Sequence, residues 1–157
     1  MLTVKNKKFY LDGNEFEIHC GAFHYFRALP EYWEDILTKF KAAGLNCVET
    51  YTCWNLHEPH KGEFNFSGML DFEKFFRLAD KVGLKVILRT GPFICAEWEN
   101  GGLPSWLLKK EYNIRLRCNT EPYKPVSVDR KDYNSLPLAF GKPRYVPRGA
   151  GYKRQVY

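Results

Sequence analysis

From Arg89 to Trp106 the chain reads Arg-Thr-Gly-Pro-Phe-Ile-Cys-Ala-Glu-Trp-Glu-Asn-Gly-Gly-Leu-Pro-Ser-Trp, directly after the apolar run Val86 to Leu88. A strand that stops and opens into a loop of this kind has the make-up of an active-site rim. The indole faces of Trp98 and Trp106 suit stacking on sugar rings, and the carboxylates of Glu97 and Glu99 suit hydroxyl groups. In extended chain, residues two apart face the same side, which would point Glu97 and Glu99 together. Paired carboxylates are the tools of glycoside hydrolysis, one as proton donor and the other as nucleophile or base. Spacing alone nominates Glu97 with Glu58 or Glu49 as such a pair.

Two further clusters follow strand-like runs. His24-Tyr25-Phe26-Arg27 suits a pocket floor, or equally a satisfied core histidine with Arg27 paired to a carboxylate. The stretch from Glu49 to Pro59 holds two carboxylates, a histidine, a tyrosine and a tryptophan, a density that suits sugar recognition. Its structural alternative is an asparagine cap and proline turn with ion pairs. His57-Glu58 lacks the HExxH spacing of a zinc helix, so no metal is expected.

These clusters need elements to hold them. Lys8 to Phe16 reads as a β-hairpin around Asp12-Gly13, a type I′ turn signal, with the second strand continuing through Ala22. Pro30 opens a helix whose apolar face is Trp33, Ile36, Leu37, Phe40 and Ala43, stopped by Gly44. Asn46 to Tyr51 is a strand. Asp71 leads into a second helix with Leu70, Phe72, Phe75, Phe76, Leu78, Ala79 and Val82 on its apolar side, stopped by Gly83. Leu84 to Leu88 is the next strand, and Ser105 is placed to cap a short helix running to Lys110. Strand centres near Ile18, Val48 and Ile87 lie 30 and 39 residues apart, which suits βα units with parallel strands. After Cys118 apolar periodicity ends, and five of the nine prolines fall there. Residues 119–157 read as an irregular basic tail.

Charge follows the same boundary. Residues 1–117 carry 16 basic and 15 acidic side chains, a net of +1, whereas residues 118–157 carry 8 and 3, a net of +5, so the basic balance is a property of the tail. It gives no reason to expect nucleic-acid binding by the folded part. With 45% hydrophobic residues the chain can build a core, and no apolar run approaches the roughly 18 residues of a membrane span, so no membrane partner is expected. The beginning of the sequence has no apolar leader segment. The five cysteines, Cys20, Cys47, Cys53, Cys95 and Cys118, are odd in number and without CxxC spacing. They read as reduced thiols in a cytoplasmic setting.

Three segments together resemble the N-terminal part of glycoside hydrolase family 35: Gly21 to Arg27, Gly44 to Pro59, and Leu88 to Leu108. Members of that family are retaining β-galactosidases on a (β/α)8 barrel. The resemblance implies an α/β fold, a partial (β/α)8 TIM barrel of about the first three βα units preceded by the short hairpin, within residues 1–118. It implies that Tyr51 contacts galactose, that Cys95, Ala96 and Glu97 line the same sugar site, and that Glu97 binds hydroxyls rather than donating the proton. The partner is then a β-galactoside or another galactose-containing saccharide, and no cofactor is implied. Thr90 departs from the family, which usually has Pro after the Arg. The family's acid/base glutamate lies in a Val-Glu-Asn-Glu-Tyr-like segment after strand four, and its nucleophile lies later. Downstream of Gly102 this chain has no Asn-Glu dipeptide, so no catalytic residue is assigned and the chain as given is expected to be inactive. The alternative is a non-catalytic carbohydrate-binding or interaction fragment.

Overall fold

The computed structural model describes residues 2–112 and 155–156. The boundary at 118, Cys118 and all of the tail except Gln155–Val156 lie outside the described residues. The chain divides into two compact units. Among the described residues, one is drawn from residues 2–51, Phe66–Thr90 and the strand Gln155–Val156, the other from Thr52–Asn65 and residues 91–112.

The first unit opens with a three-stranded antiparallel sheet, β1 (Leu2–Lys5), β2 (Lys8–Leu11) and β3 (Asn14–Glu15). Tyr10 pairs with Glu15 and Leu11 with Asn14, around a turn with Asp12 and Gly13 at φ 51° and 91°. Positive φ at both central residues is what a type I′ turn requires. The sequence reading missed β1, whose turn to β2 uses Asn6 and Lys7, also at positive φ. The expected continuation of β3 to Ala22 is corrected. The strand ends at Glu15, and β4 (Cys20–Ala22) belongs to a different sheet.

That second sheet has the order β4, β5 (Cys47–Tyr51), β6 (Lys85–Arg89) and β7 (Gln155–Val156). The first three strands are parallel, with Cys20 opposite Cys47, Ala22 opposite Glu49, and Tyr51 opposite Arg89. The α/β alternation read from the spacing is therefore present, with no closed barrel among the described residues. β7 pairs antiparallel along β6, with Ile87 opposite Val156. Unpaired N–H and C=O groups on an edge will pair with any extended segment that reaches them.

The crossovers are α1 (Pro30–Ala42) and α3 (Phe72–Val82). Proline suits the first turn of α1, where its missing N–H costs nothing. Asp71 caps α3 by accepting the Lys74 N–H at 2.9 Å. Trp33 and Leu37 of α1 and Phe75 and Ala79 of α3 are buried with Val48 and Val86. Ala43, placed on the apolar face by periodicity, is exposed because α1 has already ended. The Trp33 indole meets the Phe75 ring edge-on at 5.6 Å and donates to the carbonyls of Tyr25 and Ala28. Gly21 is small for a reason: a Cβ there would lie 2.6 Å from the Phe40 ring.

The second unit contains α2 (Trp54–His57) and single 3-10 turns over Glu99–Gly102, Ser105–Leu108 and Lys110–Tyr112. It has its own core of Trp54, Leu103, Trp106 and Leu107, with Phe93 packed against it.

Candidate active site

In the first unit, parallel pairing brings four chemistry-bearing side chains to the carboxyl ends of β4, β5 and β6, where α/β sheets carry their ligands. Because Glu49 and Tyr51 are two apart on β5 they share a face, and Arg89 stands opposite Tyr51 in register. Arg89 donates to the Glu49 carboxylate at 3.0 Å, and its guanidinium lies 4.2 Å from the centre of the Tyr51 ring. The Tyr51 backbone N–H is 3.4 Å from His24 Nδ1. The His24 ring stacks on Phe26 and tilts against Tyr51. Burial, aided by the positive charge of Arg27, holds the His24 imidazole below its usual range, so the neutral ring can accept at Nδ1. Tyr51 is 4% exposed, and its hydroxyl is buried with no hydrogen-bond partner among the described residues. A buried phenol without a partner is costly and calls for an explanation.

The second unit holds the loop from Gly91 to Trp106. The expected extended course through Glu97 and Glu99 is corrected. Glu97 sits at φ 44° and Glu99 starts a 3-10 turn, so the period-two argument for a shared side does not apply. The turn is held by Ile94 N–H to the Gly101 carbonyl at 2.8 Å and by Gly101 N–H to the Trp98 carbonyl at 2.9 Å. Ala96 is buried, while Cys95 and Glu97 on either side of it are exposed. A non-glycine residue in the left-handed region costs on the order of 1 kcal/mol or more and is a recurrent mark of functional loops.

The two tryptophans divide. Trp106 is buried edge-on to Trp54 at 5.8 Å and donates its indole N–H to the Glu58 carbonyl at 3.1 Å, so it is core and not a stacking platform. Trp98 is half-buried and donates to Asn55 Oδ1 at 3.2 Å. The expected cap at Ser105 is corrected: Ser105 is the first residue of a single 3-10 turn whose N-cap is Pro104, and no α-helix starts there.

The carboxylates nominated by spacing are also engaged. Glu58, 7% exposed, accepts from the Trp54 indole at 2.5 Å and from the Gly62 N–H at 2.8 Å, which makes it a structural hub. Glu49 is bound to Arg89. His57 is buried with Nδ1 2.8 Å from the Asn65 carbonyl. Among the described residues no cluster of three or more His, Cys, Asp or Glu could hold a metal ion. Among the described residues Cys20, Cys47, Cys53 and Cys95 form no disulfide, and Cys20 and Cys95 are exposed. Among the described residues no helix is long and apolar enough to cross a membrane.

The structure thus puts Tyr51 at a strand end in the first unit, and Cys95, Ala96 and Glu97 in a strained turn of the second. Sequence reasoning missed Arg89 as a partner of Tyr51. Its only signal was a charged residue closing an apolar strand, and its meaning depends on the register with β5.

Residues 8–130 match the family described as glycosyl hydrolases family 35. The chain is 50% identical to a β-galactosidase of Mus musculus over 129 residues, 82% of this chain and 20% of the mouse protein. It is 53% identical to a β-galactosidase of Homo sapiens over 122 residues, 78% of this chain and 18% of the human one. It is 48% identical to β-galactosidase 8 of Oryza sativa over 127 residues, 81% of this chain and 19% of the rice protein. The chain spans about a fifth of the length of these relatives. With parallel strands, a tyrosine at the end of β5 and the turn around Glu97 all falling inside the matched residues, this chain belongs to glycoside hydrolase family 35.

Proposed function

We propose that this chain forms the first three βα units of a (β/α)8 β-galactosidase barrel and binds the galactose unit of a β-galactoside through Tyr51, Cys95, Ala96 and Glu97. The observation that carries the reading is the buried Tyr51 hydroxyl, which has no partner among the described residues at the end of a parallel strand. A sugar hydroxyl would satisfy it. The exposed carboxylate of Glu97, held on a strained turn, supports the same reading, because a carboxylate accepts well from paired hydroxyls.

Retaining hydrolysis of a terminal β-galactoside needs two further carboxyl groups. One protonates the glycosidic oxygen as the other attacks the anomeric carbon, and water then releases galactose. Glu49 and Glu58 are committed to Arg89, Trp54 and Gly62, and no Val-Glu-Asn-Glu-Tyr-like segment occurs in the 157 residues. In this reading the chain by itself binds galactose and does not cleave galactosides. Titration of the pure chain with galactose, followed by calorimetry, tests the first part. Weaker galactose binding by Tyr51→Phe and Glu97→Gln supports it, and equal binding by wild type and both variants refutes it. Release of nitrophenol from a nitrophenyl β-galactoside by the pure chain refutes the second part.

A further inference from the structure

The proposed galactose-binding role of Tyr51 leaves Arg89 and Glu49 without a task, yet both are half-buried and fixed against that residue. The guanidinium is 4.2 Å from the Tyr51 ring centre and is held by Glu49 at 3.0 Å, with the two side chains 32% and 23% exposed. On the backbone side, His24 Nδ1 faces the Tyr51 N–H. The ring is therefore gripped at its π-face by a cation and at its main chain by an imidazole, while its hydroxyl is left over.

We infer that Arg89, oriented by Glu49, is a positioning residue for Tyr51: it fixes the phenol ring and sharpens the O–H as a donor to a pyranose hydroxyl. A cation on a ring face is attracted by the ring quadrupole, and the attraction grows as water is excluded. The same cation draws electron density from the ring and makes its O–H a stronger hydrogen-bond donor. Glu49 completes the device. Its carboxylate holds the guanidinium at 3.0 Å. The carboxylate that spacing nominated for proton transfer thus acts one step removed from the sugar, through Arg89. This inference deepens the galactose-binding reading and rests on it.

The test uses the 157-residue chain, with galactose as the probe, in four forms besides wild type: Arg89→Lys, Arg89→Met, Tyr51→Phe and the double variant Arg89→Met/Tyr51→Phe. Arg89→Met is expected to weaken galactose binding about three- to tenfold, the scale of one partly desolvated cation–ring contact. Arg89→Lys, which keeps the cation, is expected to recover most of the loss. In the Tyr51→Phe background Arg89→Met is expected to cost nothing further, because the group it serves is gone. Equal losses in both backgrounds, or no rescue by Lys, overturn the inference. A second readout needs no ligand. The Tyr51 ring resonances, assigned by their absence in Tyr51→Phe, are expected as separate signals for the two ring edges in wild type and merged in Arg89→Met. Merged signals in wild type overturn the clamp. A wild-type chain that binds no galactose refutes the galactoside reading and the donor role with it, while the ring resonances still decide the clamp.

Discussion

His57 sets a pH dependence whose size follows from its burial. The side chain is 2% exposed, and Nδ1 lies 2.8 Å from the Asn65 carbonyl, so the folded ring is neutral with its proton on Nδ1. Burial disfavours the imidazolium and lowers the folded pKa to about 4, with the Asn65 carbonyl acting in the opposite direction. The unfolded chain has the ordinary value near 6.5. Above about pH 6.5 neither state binds the proton and the full stability is present. As the pH falls from about 6.5 to about 4, the unfolded chain takes up a proton that the folded one refuses, so stability falls, and it levels off below about 4. A difference of roughly 2.5 pH units corresponds to about 3 kcal/mol at 1.36 kcal/mol per unit, a large share of a typical domain's stability. The assay is urea unfolding of wild type and His57→Gln between pH 4 and 7.5, followed by tryptophan fluorescence, to which Trp54, Trp98 and Trp106 of the same unit contribute. Glutamine can still donate to Asn65 and does not titrate, so the variant should be about 1 kcal/mol less stable at pH 7.5. It should become the more stable form below a crossing between about pH 5 and 6. Every other titrating group is common to both proteins. Parallel stability curves for the two across this range would refute the reasoning.

Three other perturbations have defined outcomes. Glu58→Ala strands the buried Trp54 indole N–H and the Gly62 N–H, and should cost about 2–4 kcal/mol, with Glu58→Gln costing less; thermal unfolding measures both. Phe75→Ala opens a cavity against Trp33, Tyr25 and Phe23 and should cost about 3–5 kcal/mol, read as a lowered urea midpoint. Glu97→Gly should relieve the left-handed strain and stabilise the fold by about 1 kcal/mol while weakening galactose binding. A variant that is no more stable and binds galactose as well as wild type would argue against the functional strain.

The α/β character, both long helices with their stops, and the parallel strands β5 and β6 were legible in the sequence because periodicity of 3.6 and runs of apolar residues are local signals, whereas the first parallel strand, expected around Ile18, is β4 at Cys20–Ala22. Trp33, Leu37, Phe75 and Ala79 announce their burial by spacing alone. The Asp12-Gly13 hairpin was legible for the same reason, since the turn chemistry sits within two residues. The end of β3 was not, because switching from one sheet to another depends on which partner offers hydrogen bonds. The site was less legible. Tyr51 and the segment Cys95 to Glu97 came forward through the likeness of whole motifs to a family, whereas residue spacing misjudged the same segment by assuming an extended backbone where Glu97 takes φ 44°. Counting residue types also misjudged Trp106 and Glu58, because a tryptophan or a glutamate looks the same in a sequence whether it faces a ligand or closes a core.

By itself, then, the sequence determined the two long helices, the parallel strands that follow them and the family to which they belong, since each is encoded in patterns a few residues long or in motifs read in order. Only the tertiary structure decided which polar groups remain available for chemistry. Strand register put Arg89 over Tyr51 and against Glu49, packing turned Trp106 and Glu58 inward, and the phenol of Tyr51 was left without a partner among the described residues. The reason is physical: a hydrogen bond or a cation–ring contact depends on distances between side chains 38 to 48 residues apart, and those distances exist only once the strands have paired and the core has closed.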